Sequence, residues 1–497
     1  MLLSSLIILL FFPLDGHTKV KWKRLAKKDL KAIHHILEAH HPGPKDSENL
    51  TFDQLLHQNL KTHLRESVAV TTPSEYFFLL KSFVNGFQDA HLGLMPAKTF
   101  KRYYQWQGRD RWPGFVVGYV NQKFMVIETQ NNLQDIQKGW EVKQCNGLSM
   151  HAYLDLYVLP YQGIKNIGSQ IYRVTPYAFV DKGNPYVVLP QRCVFFDGAK
   201  RIPKAIEWFP IQDQEVFSMA FQKAAHRPVF KEKYNLYKID EGQYWVQITS
   251  LAPKGEIHKL KKIIQALSGL RSADLVVLDL RGNGGGNSLW GQKIVSSLLG
   301  SEYVKRVQEG LPRHSVDFRA SKKNLRHWEG VVKELKEKFG ETSSASLEFQ
   351  KVVSEMKKAL RYKEPFAQLR SSPRRASYKT PWLRQAHAFS GKLIVFTGPY
   401  CASACLGMMD LLKPAQNMVH VGLPTSADTL YMDNRSETLP SKMMAFHFAT
   451  KVYRNRLRKA YQGYAPDVRW EGMLGDTELI QGWIMAHAHQ WSVALER

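Results

Sequence analysis

The feature that most constrains the fold is a repeated unit in the second half of the chain: a short aliphatic run, a turn and an amphipathic helix. QYWVQITSL precedes GEIHKLKKIIQALSGL, ADLVVLDL precedes a glycine-rich loop and LWGQKIVSSLLG, and GKLIVFTG precedes CASACLGMMDLLK, with MVHVGLP as a further run. Two of these runs, ADLVVLDL and GKLIVFTG, are almost continuously aliphatic, as strands buried on both faces of a parallel sheet are. Strands alternating with helices in this way predict an α/β core whose ligands sit at the carboxyl ends of the strands.

A chain of 497 residues has room for about three domains, and the remainder reads differently from the core. Residues 19–100 carry apolar positions at helical spacing, broken at His-Pro-Gly, and read as helices. Residues 101–220 hold β-branched and aromatic runs such as WPGFVVGYV and KFMVIET, punctuated by Gly, Asn and Pro, and read as short strands. Within them a turn at Gly139, a strand and an Asn146-Gly147 turn form one compact unit. The core spans 221–301 and 391–497, and 302–390 holds two amphipathic helices that interrupt it.

At the N-terminus, residues 2–14 form an apolar run ending at Asp15-Gly16, the pattern of a secretory signal removed near Gly16 or Thr18. The net charge of +25 favours anionic surroundings, and basic residues outnumber acidic ones two to one across 302–390. No zinc-finger spacing, basic-region heptads or ribonucleoprotein motif accompanies the charge, so it reads as a solvated basic face and excludes sequence-specific nucleic-acid binding. Cys145, Cys193, Cys401 and Cys405 are too few for a disulfide framework and read as small buried side chains, although export would permit a Cys145–Cys193 bridge. They form no metal-ligand pattern.

Three segments carry chemistry. RGNGGG, residues 281–286, follows a buried strand; it fails the dinucleotide fingerprint because Asn287 stands at the sixth position. It also lacks the Lys-Ser/Thr of a phosphate loop, which leaves either a tight turn or amides presented to an oxyanion. Ser403 lies where a strand gives way to a helix, the place of a nucleophile or of an N-cap. Asp89-Ala90-His91 precedes a short strand and offers a histidine base. Nucleophile, base and oxyanion donors are what acyl transfer requires.

These segments together resemble the tail-specific, or C-terminal-processing, serine peptidases, in the branch similar to the core of tricorn protease. HHPG and QDAHLGL are similar to the family's helical domain, LQDIQKGWEVKQCNGLSM to part of its PDZ-like module, ADLVVLDLRGNGGG to its most specific motif, and ASACLGMMDLLK with VHVGLPTSADT to its nucleophile region. The resemblance implies a multidomain α/β protein with a crotonase/ClpP-like α/β catalytic core. Its parts would be a signal peptide at 1–18, an N-terminal helical domain at 19–100, a PDZ-like β-rich module at 101–220, a first core half at 221–301, a basic helical insertion at 302–390 and a second core half at 391–497.

Carried over by position, Ser403 is the nucleophile, His91 the general base, and the amides of Gly284 and Ala404 the oxyanion hole. Members with a Ser-Lys dyad have lysine where this chain has Asp428, which leaves His91 as the base. The tricorn arrangement also has a serine before its histidine and a glutamate before a Pro-Asp pair; here Ala90 and Ala460 stand there. Asp428 is the candidate to orient His91, because a carboxylate beside a catalytic imidazole fixes its tautomer. Its other reading is a loop hydrogen bond. The resemblance implies an exported, periplasmic or secreted serine endopeptidase using neither cofactor nor metal. It would act on polypeptides, offer its basic face to an anionic envelope surface, and keep no transmembrane anchor after signal removal. The alternatives are a non-catalytic protein of the same fold that binds an apolar ligand or peptide, and an envelope polyanion-binding protein.

Overall fold

The computed structural model describes residues 20–104, 110–130, 135–311, 315–369 and 386–491, so the expected signal at 1–18 lies outside the described residues. The aliphatic runs form the predicted core. Its sheet runs in the order Tyr234–Asp240, Gln243–Ile248, Leu275–Asp279, Lys392–Thr397, Met418–Gly422, Val468–Arg469. The first two strands make an antiparallel hairpin, and every later pair is parallel. All five residues of Leu275–Asp279 are buried, because both faces of the sheet are covered. Val276 and Leu278 face the helices Ile257–Leu267, Ser288–Leu299 and Ala404–Leu412, while Leu275 and Val277 face Thr477–His487. The period of two along a strand sends neighbouring residues to opposite layers.

Leu275–Asp279 and Lys392–Thr397 are direct neighbours, paired from Leu275 with Lys392 to Asp279 with Phe396. Their carboxyl ends therefore emerge side by side. The loop after the first is RGNGGG and the turn after the second holds Ser403, so the sheet brings together segments more than a hundred residues apart in sequence.

A second, antiparallel sheet is assembled from distant parts of the chain: Gly93–Pro96, Met444–Arg454, Ser315–Arg319 and Phe366–Leu369, with Tyr431–Thr438 on the other side of Met444–Arg454. The N-terminal helices Trp22–His40, Thr51–Glu66 and Pro73–Asn85 pack on it through Leu30, Leu37, Tyr76 and Leu80 against Met444, Phe446 and Phe448. The two amphipathic helices expected between the core halves are Lys322–Phe339 and Ser344–Arg361. They pack through Trp328, Val352 and Met356 on Phe318 and Ala367. The interrupting segment adds no strand to the parallel sheet among the described residues, but it supplies two to the second sheet.

The β-rich module is a separate antiparallel sheet of Phe115–Val120, Lys123–Thr129, Glu141–Cys145, Arg192–Phe196 and Arg201–Ala205. Asn146 and Gly147 both take positive φ, 51° and 78°, as a tight primed hairpin turn demands. The cysteines correct the expectation of four free buried side chains. Cys145 lies directly opposite Cys193 on the neighbouring strand and is bonded to it, and Cys401 is bonded to Cys405 across the turn that carries Ser403. Among the described residues no cysteine is free.

Candidate active site

The RGNGGG loop is held from beneath by buried polar groups. Arg281 and Asp279 form a wholly buried ion pair, with Arg281 Nη2 2.7 Å from Asp279 Oδ2. Arg281 also donates to the carbonyl of Leu474 at 2.7 Å, so its charge is well provided with acceptors. Asn283 donates to the carbonyl of Ile248 and accepts from the amide of Gly285, which fixes the loop to the edge of the neighbouring strand. A Cβ on Gly285, at φ 91°, would lie 2.7 Å from the carbonyl oxygen of Ala402 and 2.7 Å from the amide nitrogen of Ala404. Glycine there lets the loop press directly against the Ser403 turn. A Cβ on Gly284 would meet nothing within 4 Å.

Ser403 has φ 54° and ψ −121°, a conformation that L-residues rarely adopt. Such a residue stores about 1–3 kcal/mol of strain and is retained only where its surroundings dictate it. Its side chain makes no capping hydrogen bond to the helix Ala404–Leu412, which removes the N-cap reading. The strained strand-to-helix turn instead presents the hydroxyl, as nucleophile elbows do. Among the described residues the amides of Gly284, Gly286 and Ala404 donate no hydrogen bond within the protein. Ser403, Ala404 and Gly286 line a cavity of about 210 Å³ whose lining does not include Gly284 or His91.

His91 lies across a short relay of bonds from this turn. Asp89 is buried, and its Oδ1 accepts from the His91 amide at 2.9 Å and from Thr429 Oγ1 at 2.7 Å. The His91 Nδ1 atom is buried without a hydrogen bond and stands 3.9 Å from that same oxygen. Asp89 Oδ2 lies 3.3 Å from Nε2 of buried His41. His41 Nδ1 accepts from the amide of Gly43, which leaves the ring proton on Nε2 for donation to Asp89. HHPG is thus the support of the carboxylate beneath His91. Burial alone would raise the Asp89 pKa, but the bond and charge of His41, the charge of His91 and the His91 amide outweigh it and hold the carboxyl below its ordinary range.

Asp428 is placed differently from the expectation that it orients His91. Its Oδ1 accepts from the backbone amide of Ser403 at 3.0 Å, and its Oδ2 stands 3.5 Å from Arg456 and 3.8 Å from Arg458. It holds the Ser403 turn, while the next residue, Thr429, bonds Asp89. The carboxylate beside the His91 ring is Asp89, two residues earlier in the chain. The sequence alone assigns Asp89 no role; its spacing from His91 and the HHPG motif are the signals that point to it.

A depressed carboxyl pKa has a thermodynamic consequence. The stability that ionised Asp89 contributes is present above its unfolded pKa and lost as pH falls through the lower folded value. Asp89→Asn is therefore expected to cost about 2–3 kcal/mol at neutral pH and to weaken the loss of stability in acid. Urea midpoints of both proteins between pH 7 and pH 3 check this; parallel curves would contradict it.

Residues 245–470 match the model of peptidase family S41. That span includes the loop Arg281–Gly286, Ser403 and Asp428, and leaves out His41, Asp89 and His91. Among solved structures, mature CPAF is similar with a TM-score of 0.58 at 12% identity, covering 94% of this chain and 98% of its own. Mature CPAF complexed with lactacystin gives 0.59 at 12% identity over 94% and 99%. At that identity the likeness shows the fold, a multidomain α/β arrangement of the S41 peptidase type with an N-terminal helical region and several sheets. The tricorn protease aligns at 11% identity with a TM-score of 0.37 over 94% of this chain and 37% of its own. No curated protein matches the chain.

Proposed function

We propose that the protein is an exported serine endopeptidase in which Ser403 attacks the scissile carbonyl of a polypeptide. The observation that carries this reading is the Ser403 turn itself: a strained, uncapped serine at a helix N-terminus, pressed against Gly285, with undonated amides on both sides. The S41 match over this segment supports it. His91 would take the proton from Ser403 Oγ as the acyl-enzyme forms and return it to the leaving amine. The amide of Ala404, with that of Gly284 or Gly286, would hold the developing oxyanion. Asp89 would stabilise the imidazolium through its charge and hold the His91 backbone, with His41 behind it, in a tricorn-like arrangement where Ala90 and Ala460 have replaced the usual partners.

The β-rich module, read as PDZ-like, would hold substrate by strand addition at its edge. Export is supported by the apolar run at 2–14 and by two disulfides, which persist in oxidising compartments. The basic face would then meet an anionic envelope surface. A second reading, a non-catalytic binder of this fold, is favoured by the 3.9 Å separation of His91 and Asp89, which is longer than a hydrogen bond. Incubating the purified protein with an unfolded protein and sequencing the new N-termini tests the proposal. Internal cleavages are expected; a substrate left whole at every pH tried contradicts it and supports the binder.

A further inference from the structure

The cavity beside Ser403 has one cation in its lining, Arg456, and two carboxylates, Asp410 and Asp433. Both carboxylates are already neutralised. Asp410 takes Arg458 Nε at 2.7 Å and the hydroxyl of Tyr464 at 2.5 Å, and Asp433 is paired with Lys451 at 2.6 Å. Arg456 is far less well served. Among the described residues its guanidinium makes a single hydrogen bond, 3.5 Å long, to Asp428 Oδ2. That oxygen also faces Arg458 at 3.8 Å, and the other oxygen of Asp428 is taken by the Ser403 amide.

Two guanidinium groups thus share one carboxylate oxygen, and Arg458 alone has a close partner elsewhere. Burial pushes the Arg456 pKa down and Arg458 pushes it the same way, against the opposing charges of Asp428 and Asp410. Its side chain is 14% exposed, and the guanidinium lies over the ring of Tyr453 at 5.4 Å, which holds its plane. Leu311, Met432 and Leu457 supply apolar walls. A planar fork of donors, partly desolvated and short of acceptors, matches a carboxylate in two parallel hydrogen bonds.

We infer that Arg456 determines specificity by receiving a substrate carboxylate close to the bond that Ser403 attacks. The inference rests on the peptidase reading above. The carboxylate has two sources, an Asp or Glu side chain flanking the scissile bond or the free C-terminus of the polypeptide. Either would complete the coordination of Arg456 and fix the substrate beside the nucleophile, with a neutral analogue leaving the cation short of partners.

The test uses the purified full-length protein and matched quenched peptides that carry Glu or Gln at each position flanking the cleaved bond, each made as free acid and as amide. The wild type is expected to favour the carboxylate member by about tenfold or more in kcat/KM, mostly through KM. A Glu-over-Gln preference identifies the side chain, and an acid-over-amide preference identifies the C-terminus. Arg456→Gln is expected to abolish the preference, Arg456→Lys to keep part of it, and Arg456→Glu to favour lysine peptides instead. Arg456→Lys retains the charge and covers the case in which the neutral variant fails to fold. Equal rates on all four peptide forms overturn the inference, as does an Arg456→Gln loss that is uniform across them, which would mark Arg456 as mere support for Asp428. If Ser403 reacts with a fluorophosphonate but no preference exists, the inference fails alone. If there is neither labelling nor cleavage, the peptidase reading fails with it.

Discussion

Ser403→Ala is expected to reduce hydrolysis of an unfolded protein by at least about 10⁴-fold, because the covalent route disappears with the hydroxyl. The substitution isolates chemistry from folding unusually well. Alanine keeps the Cβ, so the strain at φ 54° is unchanged, and the backbone amide that donates to Asp428 remains. No capping hydrogen bond is lost, because the serine side chain makes none. Circular dichroism and the urea midpoint should match the wild type while turnover falls to background. Unchanged turnover in the purified variant would show that another residue is the nucleophile.

The second large effect is expected at His91. His91→Ala should lower kcat/KM by roughly 10²–10⁴-fold, the contribution of a positioned general base. It should also remove a limb of the pH profile. Only the neutral imidazole accepts the serine proton, so wild-type activity should climb with pH as a histidine deprotonates. The residual activity of the variant should lack that rise. Asp428→Asn provides the contrast: an amide oxygen still accepts from Ser403, so activity falls by a smaller factor and the pH limb stays. A His91→Ala protein with full activity and an unchanged profile would assign the base elsewhere, even if Ser403 is the nucleophile.

The core was legible because its signal is local. A strand buried on both faces must be apolar at nearly every position, and residues 275–279 and 392–397 satisfy that without reference to any partner. The second sheet was not legible for the opposite reason. Gly93–Pro96 is four residues long, and its partner Met444–Arg454 lies some 350 residues away, so nothing in either segment announces the pairing. Ser315–Arg319 and Phe366–Leu369 are equally short and flank long helices whose amphipathic pattern dominates the region. The bridges are not legible in the sequence because they depend on geometry: Cys145 and Cys193 meet only through a specific strand alignment.

The site divides along the same line. Ser403 and the glycine loop were recognisable because each follows a buried strand, and parallel neighbours in the sheet then bring the two loops together. The carboxylates were harder. Asp428 and Asp89 both lie near the centre, and the choice between them turns on Thr429, His41 and the Ser403 amide, contacts that join residues 25 to 340 positions apart. Spacing in sequence carries no information about such contacts, whereas hydrogen-bond geometry separates Asp428, which takes the Ser403 amide, from Asp89, which takes the His91 amide.

The most direct test of the central claim, that Ser403 is a nucleophile activated by His91, is labelling with a fluorophosphonate followed by intact mass and peptide mapping. Wild-type protein at neutral pH is expected to gain one adduct, located on Ser403, and the His91→Ala protein to gain it far more slowly. A wild-type protein that stays unlabelled, or a His91→Ala protein labelled at the same rate, would contradict the account.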